Sequence, residues 1–149
     1  MKPPKRSSVS EGAIPADARA AIDDAIAQAR EARERAYAPY SGFQVGAAIL
    51  AGGRVFTGEN VENASYPVSV CAERNAVAHM IDAGERRIDL VAVVTGAPSP
   101  TPPCGACRQV LWEFGREALV VAETTDGARA SWALEDLLPD AFGPEDLER

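Results

Sequence analysis

The 149-residue chain has the length of one ordinary domain, and its 46% hydrophobic and 25% charged residues favour a folded core over wholesale disorder. No apolar run approaches the roughly 20 residues that a membrane helix needs, so we expect no membrane association. The net charge of −7 and the lack of a basic stripe disfavour a long nucleic acid as a partner. A single small uncharged ligand stays compatible with this charge.

The beginning of the chain, MKPPKRSSVS, is basic and polar and lacks the apolar stretch of a secretory signal. We therefore expect a flexible, solvated tail over residues 1–15 and a single domain over residues 16–149. Without such a signal, the expected compartment is the cytoplasm.

Hydrophobic periodicity and turn residues predict the elements of that domain in chain order. A helix over residues 16–36 has an alanine-rich apolar face, and strands over 43–50 and 54–61 form a hairpin around Gly52-Gly53. There follow a helix over 67–84, a buried strand over 89–95, a helix over 104–115, strands over 118–122 and 129–133, and a helical turn over 134–138. This order predicts an α/β fold, with three α-β-α layers around one mixed five-stranded sheet.

The three cysteines of the chain, Cys71, Cys104 and Cys107, indicate metal binding. An odd count argues against a disulfide framework in a reducing compartment. All three lie at the predicted starts of two helices, which follow strands of one sheet and can meet at its edge. Helix N-termini stabilise thiolates, the form that binds zinc. Three protein ligands leave a fourth position for water, which is typical of a catalytic rather than a structural zinc site.

Glu73, two residues after Cys71, is the candidate proton carrier. On a regular helix this spacing separates two side chains by about 200°, so they serve one site only if Cys71 lies at the helix end. Three thiolates and one Zn²⁺ leave a net negative charge, which we expect Arg74, Arg108 and the helix termini to offset. The single histidine, His79, is interpreted as an ordinary packing or surface residue.

Each part of this motif has an ordinary interpretation when taken alone. A lone Cys-x-x-Cys is compatible with redox chemistry or half a zinc knuckle, and a lone cysteine such as Cys71 is more often a small buried hydrophobe. The conjunction of Cys-Ala-Glu at 71–73 with Pro-Cys-Gly-Ala-Cys at 103–107 is far more specific. Zinc deaminases combine such ligands with a glutamate that does not bind the metal.

The sequence resembles the small homotetrameric zinc-dependent cytidine deaminases beyond this motif. The segments APYSGFQVGAA (38–48), NVENASYPVSVCAERNA (60–76), PCGACRQVLWEF (103–114) and LLPDAFGPEDL (137–147) match family segments in family order. Pro102 is a local departure, because family chains often have a small polar residue there. The resemblance implies the cytidine deaminase fold, one Zn²⁺ per subunit and a homotetramer with active sites at subunit interfaces.

The resemblance also implies which residues carry the chemistry. The cysteines at 71, 104 and 107 match the zinc ligands. Glu73 matches the catalytic proton shuttle, and Arg74 matches the arginine that tempers the thiolate charge.

Substrate contacts follow from the same resemblance. Phe43 matches an aromatic residue near the pyrimidine, and the backbone of Ala72 matches a group that helps to hold the base. Asn60 and Glu62 match a pair that binds the ribose hydroxyls. Asparagine and glutamate suit a vicinal diol chemically, and their spacing puts both on one face of an extended segment. Without the resemblance they would be two polar loop residues.

Two further aromatic residues, Tyr66 and Phe142, match side chains that reach into the site of a neighbouring subunit. Taken alone, Phe142 would be interpreted as a core aromatic residue, as would Phe43, and Tyr66 as part of a helix entry.

The implied reaction is hydrolysis of cytidine and 2'-deoxycytidine to the uridine products with release of ammonia, as in pyrimidine salvage. Three alternatives stay open. A blasticidin-S-type or free-base deaminase would use the same zinc chemistry. A non-catalytic, zinc-stabilised binding module would need a fourth protein ligand, and a polynucleotide deaminase is disfavoured by the acidic charge.

Overall fold

A computed structural model describes residues 7–147 of the chain. Its helices are α1 (Ala16–Arg33), α2 (Ala72–Asp82), α3 (Gly105–Phe114) and α4 (Leu134–Leu137). Its strands are β1 (Val45–Ala51), β2 (Arg54–Glu59), β3 (Leu90–Thr95), β4 (Leu119–Thr124) and β5 (Arg129–Ala133). Short 3-10 helices span Glu11–Ala13, Tyr66–Val68 and Pro144–Leu147. Within the described residues, no helix is both long enough and apolar enough to cross a membrane.

The five strands form one sheet in the order β2-β1-β3-β4-β5. Strands β3 and β4 are parallel and joined through α3, whereas the other neighbours are antiparallel. Strand β3 is buried along its whole length, as its uninterrupted apolar sequence predicts for a central strand covered on both faces. The predicted mixed five-stranded sheet is therefore confirmed.

Helices cover both faces of this sheet, which confirms the three-layer arrangement. Helix α1 packs on one face through a stripe of small residues. Gly46 of β1 permits this close approach, because a Cβ atom there would lie 1.9 Å from the carbonyl oxygen of Ala29. Helices α2 and α3 cover the other face, where the larger core includes Ile49, Met80 and Leu111.

Helix α2 begins five residues later than the predicted helix over residues 67–84. Pro67 lies in the short 3-10 helix, and the chain then extends before α2 starts at Ala72. The extension is needed for pairing, because Val61 and Val70 exchange two backbone hydrogen bonds of 3.0 and 2.9 Å. The apolar periodicity of residues 67–84 therefore corresponds to a helix only over residues 72–82.

Residues 7–14, which belong to the predicted solvated tail, are mostly exposed but make specific contacts with the domain. Val9 donates its backbone N–H to the carbonyl oxygen of Ser131 in β5 at 3.1 Å. Ser131 in turn donates its N–H to the hydroxyl oxygen of Ser7 at 2.5 Å. Ile14 is buried against the α1 layer. This segment lies along an edge strand, where it satisfies backbone groups that would otherwise need water. Residues 1–6 of the predicted tail lie outside the described residues.

Candidate active site

Two helix starts meet at one edge of the sheet, as the sequence predicts. Cys71 is the N-cap residue of α2 and Cys104 that of α3, both with extended backbone. The carbonyl oxygen of Cys71 accepts the N–H of Asn75 at 3.2 Å, and that of Cys104 accepts the N–H of Arg108 at 2.9 Å. The geometric condition on Cys71 and Glu73 is met, because they occupy the very start of α2.

Close packing against β2 fixes the start of α2. Gly58 makes this possible, because a Cβ atom there would lie 2.3 Å from the carbonyl oxygen of Ala72 and 2.4 Å from the nitrogen of Ala76. The side chain of Asn75 adds a 2.8 Å hydrogen bond to the carbonyl oxygen of Glu59. A side chain at position 58 would displace the helix end that carries the site.

The sulfur atoms of Cys71, Cys104 and Cys107 lie within 4.8 Å of one another. A tetrahedral zinc ion with bonds of about 2.3 Å requires sulfur atoms about 3.8 Å apart, so the cluster closes on zinc with small side-chain movements. Among residues 7–147, no other histidine, cysteine or carboxylate joins this group. His79 instead lies with its Nδ1 atom 2.6 Å from the carbonyl oxygen of Thr57.

Hydrogen bonds among the three converging cysteines shift the pKa values of Cys71 and Cys107 in opposite directions. The thiol of Cys107 donates to Cys71 and so lowers the pKa of Cys71, which the Cys104 hydrogen bond and the charge of Arg74 lower further against partial burial. The same hydrogen bond, together with burial, raises the pKa of the Cys107 thiol. A bound dication would displace this proton, because zinc binds thiolates. The donor set therefore fits zinc.

Glu73 is the one carboxyl group at the base of this cluster, among the residues described. It is only 5% exposed, and its Oε2 atom lies 3.6 Å from the Sγ atom of Cys107. Burial raises the pKa of this carboxyl to about 7, and the negative Cys71 contributes in the same direction. A carboxyl group with this pKa can hold and release a proton near neutral pH, as a general acid–base group must.

An open cavity of about 420 Å³ leads to the cluster, a size typical of small-molecule sites. Its lining residues are Phe43, Val45, Asn60, Cys71, Ala72, Glu73, Val93, Thr95, Thr101, Pro102, Pro103, Cys104 and Arg108. Three substrate residues expected from the sequence, Phe43, Asn60 and Ala72, are therefore brought together with the cysteines.

Asn60 and Glu62 do not line the same depression. The amide of Asn60 donates to the carbonyl oxygen of Phe43 and accepts the N–H of Val45, each at 2.8 Å. The Glu62 carboxylate accepts the hydroxyl and the N–H of Ser41 at 2.5 and 3.0 Å, which lowers the pKa of Glu62. Glu62 lines a neighbouring depression rather than the cavity itself.

The remaining expected residues lie at the surface. Tyr66 is 69% exposed and Phe142 is 58% exposed, and neither lines the cavity of its own chain. Tyr66 contacts Tyr40 edge to face, with ring centroids 5.8 Å apart. Both exposed rings are available to another molecule.

The two arginines expected to balance charge behave differently. Arg74 is exposed, and its charge acts on Cys71. Arg108 lines the cavity, but its Nε and one terminal nitrogen donate to the carbonyl oxygens of Pro103 and Leu137 at 2.8 and 2.9 Å. Arg108 therefore also ties the loop before Cys104 to the end of α4.

Several cavity residues escaped the sequence analysis. Thr95 ends β3, and its hydroxyl lies 3.4 Å from that of Thr101, so the two add polar groups to a cavity that also has apolar walls such as Val45. The position of Thr95 at the carboxyl end of β3 could have indicated this residue, because ligands of open α/β sheets bind beyond the carboxyl ends of strands. No local pattern distinguishes Thr101 within the loop 96–103.

Three converging thiols with an open side, next to a buried carboxyl, belong to the class of catalytic metal sites. Residues 20–123 match the model of a family described as "Cytidine and deoxycytidylate deaminase zinc-binding region". The chain belongs to this family of zinc-dependent deaminases.

Individual relatives resemble most of the chain. A cytidine deaminase from Sporosarcina psychrophila is 43% identical over 128 residues, which cover 85% of this chain and 94% of the relative. A cytidine deaminase from Mycobacterium tuberculosis is 48% identical over 122 residues, covering 81% and 89%. The crystal structure of cytidine deaminase from Burkholderia pseudomallei superposes with a TM-score of 0.78 at 48% identity, covering 80% and 98%.

Proposed function

We propose that this protein is a cytidine deaminase, which converts cytidine and 2'-deoxycytidine to uridine and 2'-deoxyuridine with release of ammonia. The observation that carries the proposal is the buried carboxyl of Glu73 beside the cysteine cluster, at the base of an open cavity. Relatives at 43–48% identity over most of the chain are named cytidine deaminases.

The chemistry divides between the metal and Glu73. Cys71, Cys104 and Cys107 would hold a zinc ion, which when bound would supply a Lewis acid to activate water for attack on C4 of the pyrimidine. Glu73 accepts the proton that the water loses and donates it to ring N3. It then takes the remaining proton from the oxygen now bonded to C4 and passes it to the exocyclic nitrogen. The bond between C4 and this nitrogen breaks, ammonia leaves, and the oxygen stays on C4 as a carbonyl. One water is consumed, and no electrons are exchanged.

The nucleoside is held by residues at the cavity and its rim. Phe43 offers an aromatic face for the base, and the backbone at Ala72 offers polar groups at a free helix start. We assign the ribose hydroxyls to Asn60 and Glu62. Hydrogen bonds to Phe43 and Val45 hold the Asn60 amide at the rim, and Ser41 fixes Glu62 as a carboxylate.

The assembly proposed for this chain is a homotetramer. Exposed aromatic rings such as Tyr66, Tyr40 and Phe142 are suited to an interface between copies. In this assembly Tyr66 and Phe142 would complete a neighbouring cavity.

The cellular setting follows from the chemistry. Cysteine ligands need a reducing compartment to stay unoxidised, which favours the cytoplasm, and nucleoside deamination there serves pyrimidine salvage. The net charge of −7 favours a free nucleoside over a polynucleotide.

A comparison of substrates tests the proposal. The purified protein is incubated with cytidine, 2'-deoxycytidine, cytosine and blasticidin S, and the ultraviolet absorbance change is followed. We expect fast loss of both nucleosides and little loss of the other two compounds. Preferential turnover of blasticidin S or of cytosine would assign the same chemistry to another substrate. Absence of turnover with a full zinc complement would indicate a non-catalytic zinc module.

A further inference from the structure

The segment that follows α4 is fastened to the outer face of α3 on both sides of the Phe142 side chain. Gln109 donates its side-chain amide to the carbonyl oxygen of Phe142 at 2.9 Å. The next residue, Gly143, is buried against Trp112, where an added Cβ atom would lie 2.8 Å from the Cη2 atom of the ring.

A third contact holds this segment against the same Trp112 ring. Arg116 donates to both carboxylate oxygens of Glu145 at 3.3 and 3.0 Å, and its guanidinium lies 4.0 Å from the Trp112 ring centroid. Gln109 and Trp112 lie three residues apart on one face of α3, and Arg116 lies in the turn that follows this helix. On the other side of Phe142, Ala141 packs against the main core.

The Phe142 side chain does not share in this packing. Its backbone carbonyl and both neighbouring residues are held, yet the residue stays 58% exposed. A large apolar ring on a fixed backbone loses little conformational entropy when a partner covers it. The contacts therefore pre-organise an exposed ring.

We infer that Gln109, Trp112 and Arg116 are positioning residues that present the Phe142 ring to a second copy of this chain. The inference rests on the proposed function, in which Phe142 completes the substrate cavity of a neighbouring subunit. Helix α3 also follows Cys104 and contains Cys107. Helix α3 thus positions two proposed metal ligands of its own subunit. Through Gln109 it also positions the Phe142 ring, which would enter the site of a neighbouring subunit.

A double-mutant cycle tests this role. Gln109→Leu keeps the side-chain volume but removes the donor to the Phe142 carbonyl oxygen. Arg116→Met removes the ion pair with Glu145. Misplacement of a substrate-contacting group by about 1 Å can cost up to about 100-fold in rate, so we expect Gln109→Leu to lower kcat/KM for cytidine about tenfold. In a Phe142→Ala background, the same change should have less than about a twofold effect, because the ring through which it acts is gone.

Equal effects of Gln109→Leu in both backgrounds, or none in either, would overturn the inference. Equal losses would mean that Gln109 acts through its own helix and its own metal site. Arg54→Met is the matched control for Arg116→Met. Arg54 also pairs with a glutamate, Glu85 at 2.9 Å, and lies 5.3 Å from an aromatic ring, but in the edge strand β2. The Arg54→Met variant should leave kcat/KM for cytidine unchanged.

A second readout separates failure of this inference from failure of the proposed function. If the wild-type protein does not turn over cytidine, the proposed function fails. The positioning role is then decided by hydrogen exchange of residues 140–147 and by molar mass from light scattering. We expect faster exchange and partial dissociation of the assembly in Gln109→Leu. Wild-type exchange and mass in that variant would contradict the inference.

Discussion

The Oε2 atom of Glu73 lies 3.6 Å from the Sγ atom of Cys107, and the carboxyl group is almost completely buried. This pair joins the start of α2 to the first turn of α3, so the buried carboxyl group and the cysteine cluster share one enclosed corner. Burial is what raises the pKa of Glu73 to about 7, and it also removes competing solvent.

Removal of one cysteine should abolish zinc binding, whereas removal of the single histidine should not. Cys104→Ser leaves two thiols and an exposed hydroxyl, which is a poor zinc ligand, so we expect the zinc content to fall well below one ion per chain. His79→Gln is the matched control, because its ring contacts the Thr57 carbonyl rather than the cluster. Elemental analysis of both purified variants gives the result. A full zinc complement in Cys104→Ser would contradict the three-cysteine assignment.

Loss of the charge on Glu62 should weaken nucleoside binding specifically. In the Glu62→Gln variant the new amide oxygen would still accept the backbone N–H of Ser41, so the variant should fold normally. Replacing one charge-assisted hydrogen bond by a neutral one corresponds to about a tenfold rise in KM for cytidine. Cytosine, which lacks the ribose, should be turned over at the wild-type rate, however slow. The surface variant Glu117→Gln should change neither the KM for cytidine nor the turnover of cytosine. An unchanged KM for cytidine in Glu62→Gln would contradict the assignment of Glu62 to the ribose.

An ion-pair network on the α1 side of the sheet should matter for stability and not for turnover. Glu123 is buried between the guanidinium groups of Arg30 and Arg129, and Arg129 also pairs with Asp23 at 2.9 Å. Hydrogen bonds to charged groups contribute roughly 1.5–3 kcal/mol, and both arginines are about one-third exposed, so Glu123→Ala should lower the free energy of unfolding by about 2 kcal/mol. Urea denaturation measures this loss. A change in kcat/KM at 25 °C without loss of stability would contradict this division.

Deletion of residues 1–9 should expose the free edge of β5. Ser131 then loses its partners Ser7 and Val9, and Ala133 loses the Ser8 hydroxyl that accepts its N–H at 3.1 Å. These bonds are near the surface, so we expect a loss of about 1–2 kcal/mol in unfolding free energy. Unpaired edges also promote association, so light scattering should increase on heating.

The control for this deletion is Ser10→Ala. The Ser10 side chain makes no capping hydrogen bond, and its substitution should leave stability unchanged. Identical melting and scattering of the deletion and the full chain would show that the N-terminal contacts are dispensable.

Local signals made the position of the site segments predictable from the sequence, although the predicted start of α2 was five residues too early. The three clustered cysteines and Glu73 lie within two short segments, and features such as Pro103 and the buried run of β3 indicate where those segments begin and which edge they face. The features that escaped prediction depend on distant partners. Val70 is extended because it pairs with Val61, Glu62 is held by Ser41 21 positions earlier, and Ser7 meets Ser131 124 positions later. Such pairings become visible only after the sheet has formed.

The most direct test of the account measures zinc content and cytidine turnover together in the wild-type protein and in Glu73→Gln. Glutamine preserves the size of the side chain but cannot carry the proton, and general acid–base groups contribute about 10²–10⁴-fold to the rate. We predict one zinc ion per chain in both proteins and a loss of kcat of at least about 100-fold in the variant. Wild-type turnover in zinc-loaded Glu73→Gln would contradict the central claim.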